Sequence, residues 1–243
     1  MTEERFIIRS SRRLAPAVYE TVLEGKTEGI TAPGQFVNIR LDGCYLRRPL
    51  SIGDWNEDSL TLIFKVVGKG TAQLAEMRPG QTLDLLIPLG NGYDLAPAGD
   101  APLLIGGGVG IPPMYGLCRR LLAAGRKPRV ILGFNTAADV FYEQAFRALG
   151  AEVTVTTADG SYGVPGFVTA AMDDAPYTYF YTCGPMAMFR AVNQAARTSG
   201  QFSFEERMGC GFGACMGCTC QTRYGAKRIC KDGPVLVREE IVW

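Results

Sequence analysis

Four cysteines near the C-terminus are the residues best placed to do chemistry. Cys210, Cys215, Cys218 and Cys230 stand as Cys-x4-Cys-x2-Cys-x11-Cys. This is the plant-type spacing with which four thiolates hold a [2Fe–2S] cluster. Gly211, Gly213, Ala214 and Gly217 lie among them, so the backbone can wrap closely and turn N–H groups toward sulfur. Such donors stabilise the charge that a cluster gains on reduction. A structural zinc site is the alternative, but zinc sites pair two short knuckles or recruit histidine. Here one Cys-x2-Cys is preceded by x4 and the last ligand stands alone. Cys220 is the spare thiol of the group.

Composition narrows the rest. There is no histidine among the 243 residues, which removes Ser-His-Asp and Cys-His nucleophiles and imidazole metal sites. Chemistry must come from a cofactor, cysteine, carboxylates, lysine or backbone groups. Twenty-five basic residues against 24 acids give a net charge of +1. That balance gives no support to nucleic acid or an anionic membrane as partner. No apolar run approaches the roughly 20 residues of a membrane span. The charged start Met1-Thr2-Glu3-Glu4-Arg5 precedes no leader-like segment, and a cytoplasmic protein is expected. Eight cysteines in a reducing compartment favour a metal site over disulfides.

Two further constellations suit nucleotides. Arg48-Pro49-Leu50-Ser51 is followed by Lys65-Val66-Val67-Gly68-Lys69-Gly70-Thr71 and a short helix, Ala72 to Glu76. An arginine with a nearby hydroxyl neutralises a pyrophosphate, and a Gly-rich turn at a helix start adds N–H donors. Alone, Arg48 equally suits a surface charge and Gly68-x-Gly70 a hairpin turn. Gly106-Gly107-Gly108-Val109-Gly110 follows a strand and opens a helix, where a dinucleotide loop belongs. It is not G-x-G-x-x-G, and a tight turn between strand and helix is the alternative. Pro112 and Pro113 fix the loop–helix junction, and Thr182-Cys183-Gly184-Pro185 ends a later strand. No basic pair follows Val130 to Gly133; Phe134-Asn135-Thr136 and Asp139 stand there instead, which favours NAD over NADP.

The elements that must carry these groups change character along the chain. Residues 1 to about 97 read as short strands, among them Phe36–Leu41 and Leu60–Val67, punctuated by Gly and Pro; an antiparallel barrel or sandwich is expected. After Pro97 strands and helices alternate. Pro102–Ile105, Val130–Gly133, Val153–Thr156 and Tyr177–Thr182 read as strands. Helices are expected after the glycine loop, from Asp139 to Leu149, and from about Met186 to Arg197. This alternation implies a parallel α/β sheet. From about Gln201 the chain is Gly- and Cys-rich with little periodicity.

The order of these pieces resembles the ferredoxin reductase-like flavoproteins. With the C-terminal cysteines, including Cys-Gly-x-Gly-x-Cys-x-x-Cys and Cys-x-Asp-Gly-Pro (Cys230 to Pro234), the chain resembles the electron-transfer subunits of type B dihydroorotate dehydrogenases, end to end. The resemblance implies a fold of three parts: an FAD-binding β-barrel (1–98), an NAD-binding α/β domain (99–200) and a small [2Fe–2S] domain (201–243). It implies FAD contacts at Arg48, Pro49, Leu50, Ser51, Lys65, Val66, Val67, Gly70 and Thr71, and an NAD path at Gly107, Gly108, Gly110, Cys183, Gly184 and Pro185. Many relatives carry tyrosine where this chain has Leu50, so residue 50 cannot stack on the flavin ring. The implied partner is an FMN-containing dihydroorotate dehydrogenase catalytic subunit, in a heterotetramer of two plus two, which delivers electrons through the cluster and FAD to NAD+ in pyrimidine biosynthesis. The chain has no (β/α)8 pattern to house dihydroorotate oxidation itself, and the Gly- and Cys-rich tail is the implied docking surface. Two alternatives are a redox subunit of a sulfhydrogenase or ferredoxin:NADP reductase, and a zinc-stapled nucleotide-binding regulator that is no enzyme.

Overall fold

A computed structural model describes residues 1–173 and 175–243. Its first part is a closed antiparallel barrel of six strands, in the order β1-β2-β5-β4-β3-β6. The strands are β1 (Thr2–Ala15), β2 (Val18–Glu24), β3 (Phe36–Arg40), β4 (Arg48–Trp55), β5 (Ser59–Lys65) and β6 (Thr82–Leu89). Period-2 alternation sends Phe6, Ile8, Val37, Ile39, Leu83, Leu85 and Ile87 into one buried core. Closure leaves no free sheet edge in this part. Helix α1 (Lys69–Glu76) packs Leu74 over the barrel core.

The second part is a seven-stranded sheet in the order β10-β9-β8-β7-β11-β12-β15. It comprises β7 (Leu103–Gly107), β8 (Arg129–Phe134), β9 (Glu152–Thr157), β10 (Val164–Pro165), β11 (Phe180–Cys183), β12 (Gly200–Ser203) and β15 (Val235–Val237). All neighbours run parallel except β12 with β15. Helix α2 (Ile111–Ala123) buries Met114, Leu117, Cys118 and Leu121 on one face and is closed off by Gly125 just beyond it, whose φ is +74°. Helix α4 (Met186–Ala195) buries Phe189 and Val192.

The expected helix Asp139–Leu149 is shorter: α3 spans only Glu143–Ala148. Phe141 turns inward against Phe134, with ring centroids 5.4 Å apart, and Tyr142 adopts φ +66°. That left-handed residue breaks the helical run. The tail carries a small hairpin, β13 (Thr219–Thr222) with β14 (Gly225–Arg228), and the single turn α5 (Ile229–Asp232). It also returns β15 to the main sheet, a pairing that its lack of periodicity concealed.

Two contacts fix the barrel against the sheet. A Cβ at Gly116 would lie 2.6 Å from the Gly53 carbonyl oxygen, and one at Gly53 would lie 3.3 Å from Pro112 Cβ, so α2 rests directly on β4. Beside this contact, Asp54 accepts from Arg119 at 2.8 Å and from Arg120 at 3.2 Å, and the Arg120 guanidinium covers the Trp55 ring.

Candidate functional site

The pyrophosphate-like cradle forms first. Arg48 opens β4 and its guanidinium lies beside the first turn of α1, where a Cβ at Gly70 would stand 2.5 Å from Arg48 Nε. A side chain at position 70 would push the arginine away from this placement. Thr71 Oγ1 accepts from the backbone N–H of Val67 at 2.9 Å and of Gly68 at 3.2 Å, which sets the turn. The side chain of Lys69 reaches the Gly43 carbonyl at 3.4 Å. Arginine beside a glycine-opened helix start fits a pyrophosphate. Leu50 packs on the barrel core, while Pro49 and Ser51 pair across the ladder with Asn38 and Phe36. Lys65 ends β5, Val66 donates to the Ala17 carbonyl at 2.8 Å, and Val67 is exposed.

The glycine loop leads into α2, which rests on β4 at Gly53. Gly108 takes φ +52°, and Gly110 packs so tightly that a Cβ there would fall 2.2 Å from the Cys183 carbonyl oxygen. A Cβ at Gly107 would meet Met188 Sδ at 2.6 Å, and one at Gly184 would meet Met188 Cε at 2.5 Å. Gly107, Gly108, Gly110 and Cys183–Pro185 therefore form one ledge at the carboxyl ends of β7 and β11, where parallel sheets take ligands. Because Pro112 and Gly116 of α2 touch Gly53, the ledge adjoins the strand of Arg48–Ser51. Burial pushes the Cys183 thiol up to about 12, so it is neutral near pH 7 and poorly suited to act as a thiolate.

The four predicted thiols fall into two neighbouring pairs in the tail, Cys210 with Cys215 and Cys218 with Cys230. Cys210 Sγ accepts from the N–H of Ala214 at 3.2 Å and of Cys215 at 3.4 Å; Cys215 Sγ accepts from Gly217 N–H at 3.5 Å, and Cys218 Sγ from Cys230 N–H at 3.4 Å. Burial tends to raise the Cys210 thiol, but backbone N–H donors from Cys215, Phe212 and Ala214 bring it down to about 6. Burial, the Cys218 thiol and the charge on Cys218 and Cys210 push Cys230 up to about 12. Gly211 (φ +82°) and Gly213 (φ +90°) give the loop the turns these donors need. Among the described residues no three His, Cys, Asp or Glu side chains gather as one metal ion would require. Two thiol pairs with inward N–H groups fit the donor set of two irons.

Sequence reasoning passed over Arg228 and Asn38, and named Asp232 only within the Cys-x-Asp-Gly-Pro motif without giving it a role. Asp232 accepts from Arg228 Nε at 3.0 Å and from Arg228 N–H at 2.9 Å, and Arg228 Nη1 reaches the Gly213 carbonyl at 3.0 Å. The aspartate of Cys-x-Asp-Gly-Pro thus braces the cysteine loop. Asn38 donates through Nδ2 to the Cys210 carbonyl at 3.3 Å. No local signal marks it, since it lies 172 residues away in sequence.

Comparison with known proteins places this geometry. Residues 205–242 match the iron–sulfur cluster binding domain of dihydroorotate dehydrogenase B, and residues 104–194 match the oxidoreductase NAD-binding domain. The chain is 44% identical to the dihydroorotate dehydrogenase B (NAD(+)) electron transfer subunit of Shouchella clausii, over 98% of this chain and 97% of the relative. The chain belongs to the family of dihydroorotate dehydrogenase B electron transfer subunits. The Bacillus caldolyticus member is 43% identical over 98% of both chains. A chain from the structure of an NADH-dependent reduced ferredoxin–NADP oxidoreductase, reported for flavin-based electron bifurcation, superposes with a TM-score of 0.88 at 31% identity, over 98% of this chain and 90% of that one. The flavohem-like FAD/NAD-binding domain of a Vibrio cholerae nitric oxide dioxygenase shares the fold at a TM-score of 0.70 and 21% identity, over 82% of this chain and 98% of that one. Like other dihydroorotate dehydrogenase B electron transfer subunits, the chain is an oxidoreductase component of ferredoxin reductase-like build.

Proposed function

We propose that this chain relays electrons between a dihydroorotate dehydrogenase catalytic subunit and NAD+, with FAD and a [2Fe–2S] cluster as its resident groups. The observation that carries the reading is the meeting of three sites around β3 and β4: the Arg48–Gly70 cradle, the Gly107–Gly110 ledge and the cysteine loop held by Asn38. Flavin exchanges two electrons with nicotinamide as one hydride and single electrons with an iron–sulfur cluster, which is why it belongs between them.

The chain's own residues supply position and electrostatics. Arg48 and the Gly70–Thr71 turn would hold the FAD pyrophosphate, and Pro49, Leu50, Ser51 and Lys65–Val67 would supply the remaining FAD contacts. Gly107, Gly108 and Gly110, having no side chains, leave room for nicotinamide beside Cys183, Gly184 and Pro185. Cys210, Cys215, Cys218 and Cys230 hold the irons, and the N–H groups of Ala214, Cys215, Gly217 and Cys230 stabilise added charge on sulfur. The work divides among residues 1–98, 99–200 and 201–243.

Phe212 and Met216, 42% and 53% exposed beside the exposed Cys215, form an apolar rim for docking the FMN-containing catalytic subunit. The two-plus-two assembly proposed with it is the one that the family resemblance implies. A cytoplasmic setting accords with eight cysteines free of disulfides, and among the described residues no helix is long and apolar enough to cross a membrane. The test is a visible spectrum with metal analysis of anaerobically purified protein, with and without NADH. Flavin bands bleached by NADH, with iron and acid-labile sulfide present, support the relay. A colourless protein holding one zinc overturns it. Reduction by NADH without dihydroorotate oxidation by the isolated chain assigns that oxidation to the partner.

A further inference from the structure

Strand β3 divides its side chains between two neighbours. Val37 and Ile39 fill the barrel, whereas Phe36 belongs to the second buried cluster, which also takes in Cys218, Ile229 and Cys230 of the tail. Asn38, two residues along, shares the outward face and is 1% exposed. Its Nδ2 donates to the Cys210 carbonyl at 3.3 Å, and a Cβ at Gly211 would lie 2.5 Å from that nitrogen. On the opposite side Asn38 pairs with Pro49 of β4, and its own carbonyl accepts from Arg47 at 3.4 Å. Its Oδ1 is buried without a partner among the described residues. A polar amide is a costly filler for such a spot unless one end does specific work.

We propose that Asn38 is a positioning residue of the electron route. It fastens the Cys210 end of the cysteine loop to the strand pair that bears Arg48–Ser51, and its donation to the Cys210 carbonyl favours the reduced cluster. The inference rests on the ligand and flavin assignments made above. The physical basis is the amide dipole: its positive end faces the backbone of a ligand residue whose environment turns more negative on reduction, so it favours that added charge, though less directly than a donor to sulfur itself. A second consequence is spatial, because the only side chain spanning from Pro49's partner position to the Cys210 carbonyl in the described contacts is this one.

The experiment is an EPR-monitored redox titration of cluster-loaded protein, with iron and sulfide counted, on wild type, Asn38→Leu and Asn38→Ala. Leucine fills a similar volume and donates nothing. Alanine leaves room for a water that can donate to the Cys210 carbonyl instead. At the potential where the wild-type cluster is half reduced, the reduced-to-oxidised ratio is expected to fall in Asn38→Leu by two- to about fivefold, the upper figure being reached if the bond strengthens by its full net worth of roughly 1 kcal/mol on reduction. In Asn38→Ala it falls about twofold, with water as partial substitute. Unchanged ratios with full iron content overturn the role of Asn38 alone. A larger shift in Asn38→Ala than in Asn38→Leu marks simple packing and overturns it too. If Asn38→Leu does not accumulate as folded protein, the alanine variant decides, an unchanged ratio being fatal. Wild-type protein without iron or sulfide defeats the ligand assignment first, and this inference with it.

Discussion

Gly116 on α2 sits directly against Gly53 on β4, with room for no Cβ: the added atom would stand 2.6 Å from the Gly53 carbonyl oxygen. This contact lets a strand of the barrel and a helix of the sheet behave as one rigid unit, with the glycine ledge at the helix's N-terminal end. Asp54, Arg119, Arg120 and Trp55 lock the same junction. Replacing Gly116 with valine is expected to destabilise the fold by about 1–3 kcal/mol through overpacking. Thermal denaturation measures this. A transition unchanged from wild type would mean that the junction is looser than described.

Arg48 lies over Gly70 with no carboxylate partner among the described ion pairs. Arg48→Ala should weaken FAD binding by roughly 10- to 100-fold, the span of a hydrogen bond to a charged group. Arg48→Lys should fall between, since it keeps charge without the fork. The flavin-to-protein ratio after desalting reads the effect; full flavin retention in Arg48→Ala would remove Arg48 from the cradle.

Gly110→Ala drives a methyl group to within 2.2 Å of the Cys183 carbonyl oxygen. The two loops of the ledge must separate. NADH-driven bleaching of the flavin should slow by about 100-fold, as expected for an ångström-scale misplacement, while dithionite still reduces the protein and the resting flavin spectrum persists. Stopped-flow absorbance decides, and a normal NADH rate would place nicotinamide elsewhere.

Cys215→Ser and Cys220→Ser make a matched pair. Cys215 is exposed and shares its sulfur environment with Cys210, whereas Cys220 lies on β13 facing no other thiol by a hydrogen bond among the described contacts. The first variant should lose the red-end absorption and the EPR signal of the reduced cluster while keeping its flavin bands. The second should keep both. Iron content near wild type in Cys215→Ser, or near zero in Cys220→Ser, would redraw the ligand set.

Asp232→Ala removes the carboxylate that holds Arg228 and accepts from its N–H. Arg228 then loses the brace that aims it at the Gly213 carbonyl. The cluster should bleach several-fold faster in air, because loosened supporting contacts typically cost about 10- to 100-fold in metal affinity. Absorbance decay at the red end measures it, and an unaltered half-life would reduce Asp232 to a surface ion pair.

Much of this was readable where chemistry imposes spacing. Four thiols at fixed intervals, a glycine run between strand and helix, and the alternation of Val37, Ile39, Leu83 and Leu85 each announce a local geometry that physics then enforces. What stayed hidden depends on distant partners. Tyr142 looks like a helix residue, yet its hydroxyl bonds Glu20 of the barrel at 2.5 Å and its backbone turns left-handed. Val235-Leu236-Val237 is too short to declare itself a strand, and becomes one because Gln201–Ser203 offers an edge. Asn38 carries no motif, and its meaning lies wholly in what folds against it.

The antiparallel return of β15 to β12 has a practical consequence. The cysteine loop, the hairpin and α5 hang between two adjacent strands of the dinucleotide sheet like a bucket between two posts. Cutting the chain after residue 204 would not yield a clean flavin reductase lacking its cluster. It would strip the border from the sheet, uncover Phe202 where Trp243 and Leu236 now shield it, and leave Asn91 without the Val235 groups it bonds. A cluster-free protein is better sought by changing sulfur to oxygen than by shortening the polypeptide.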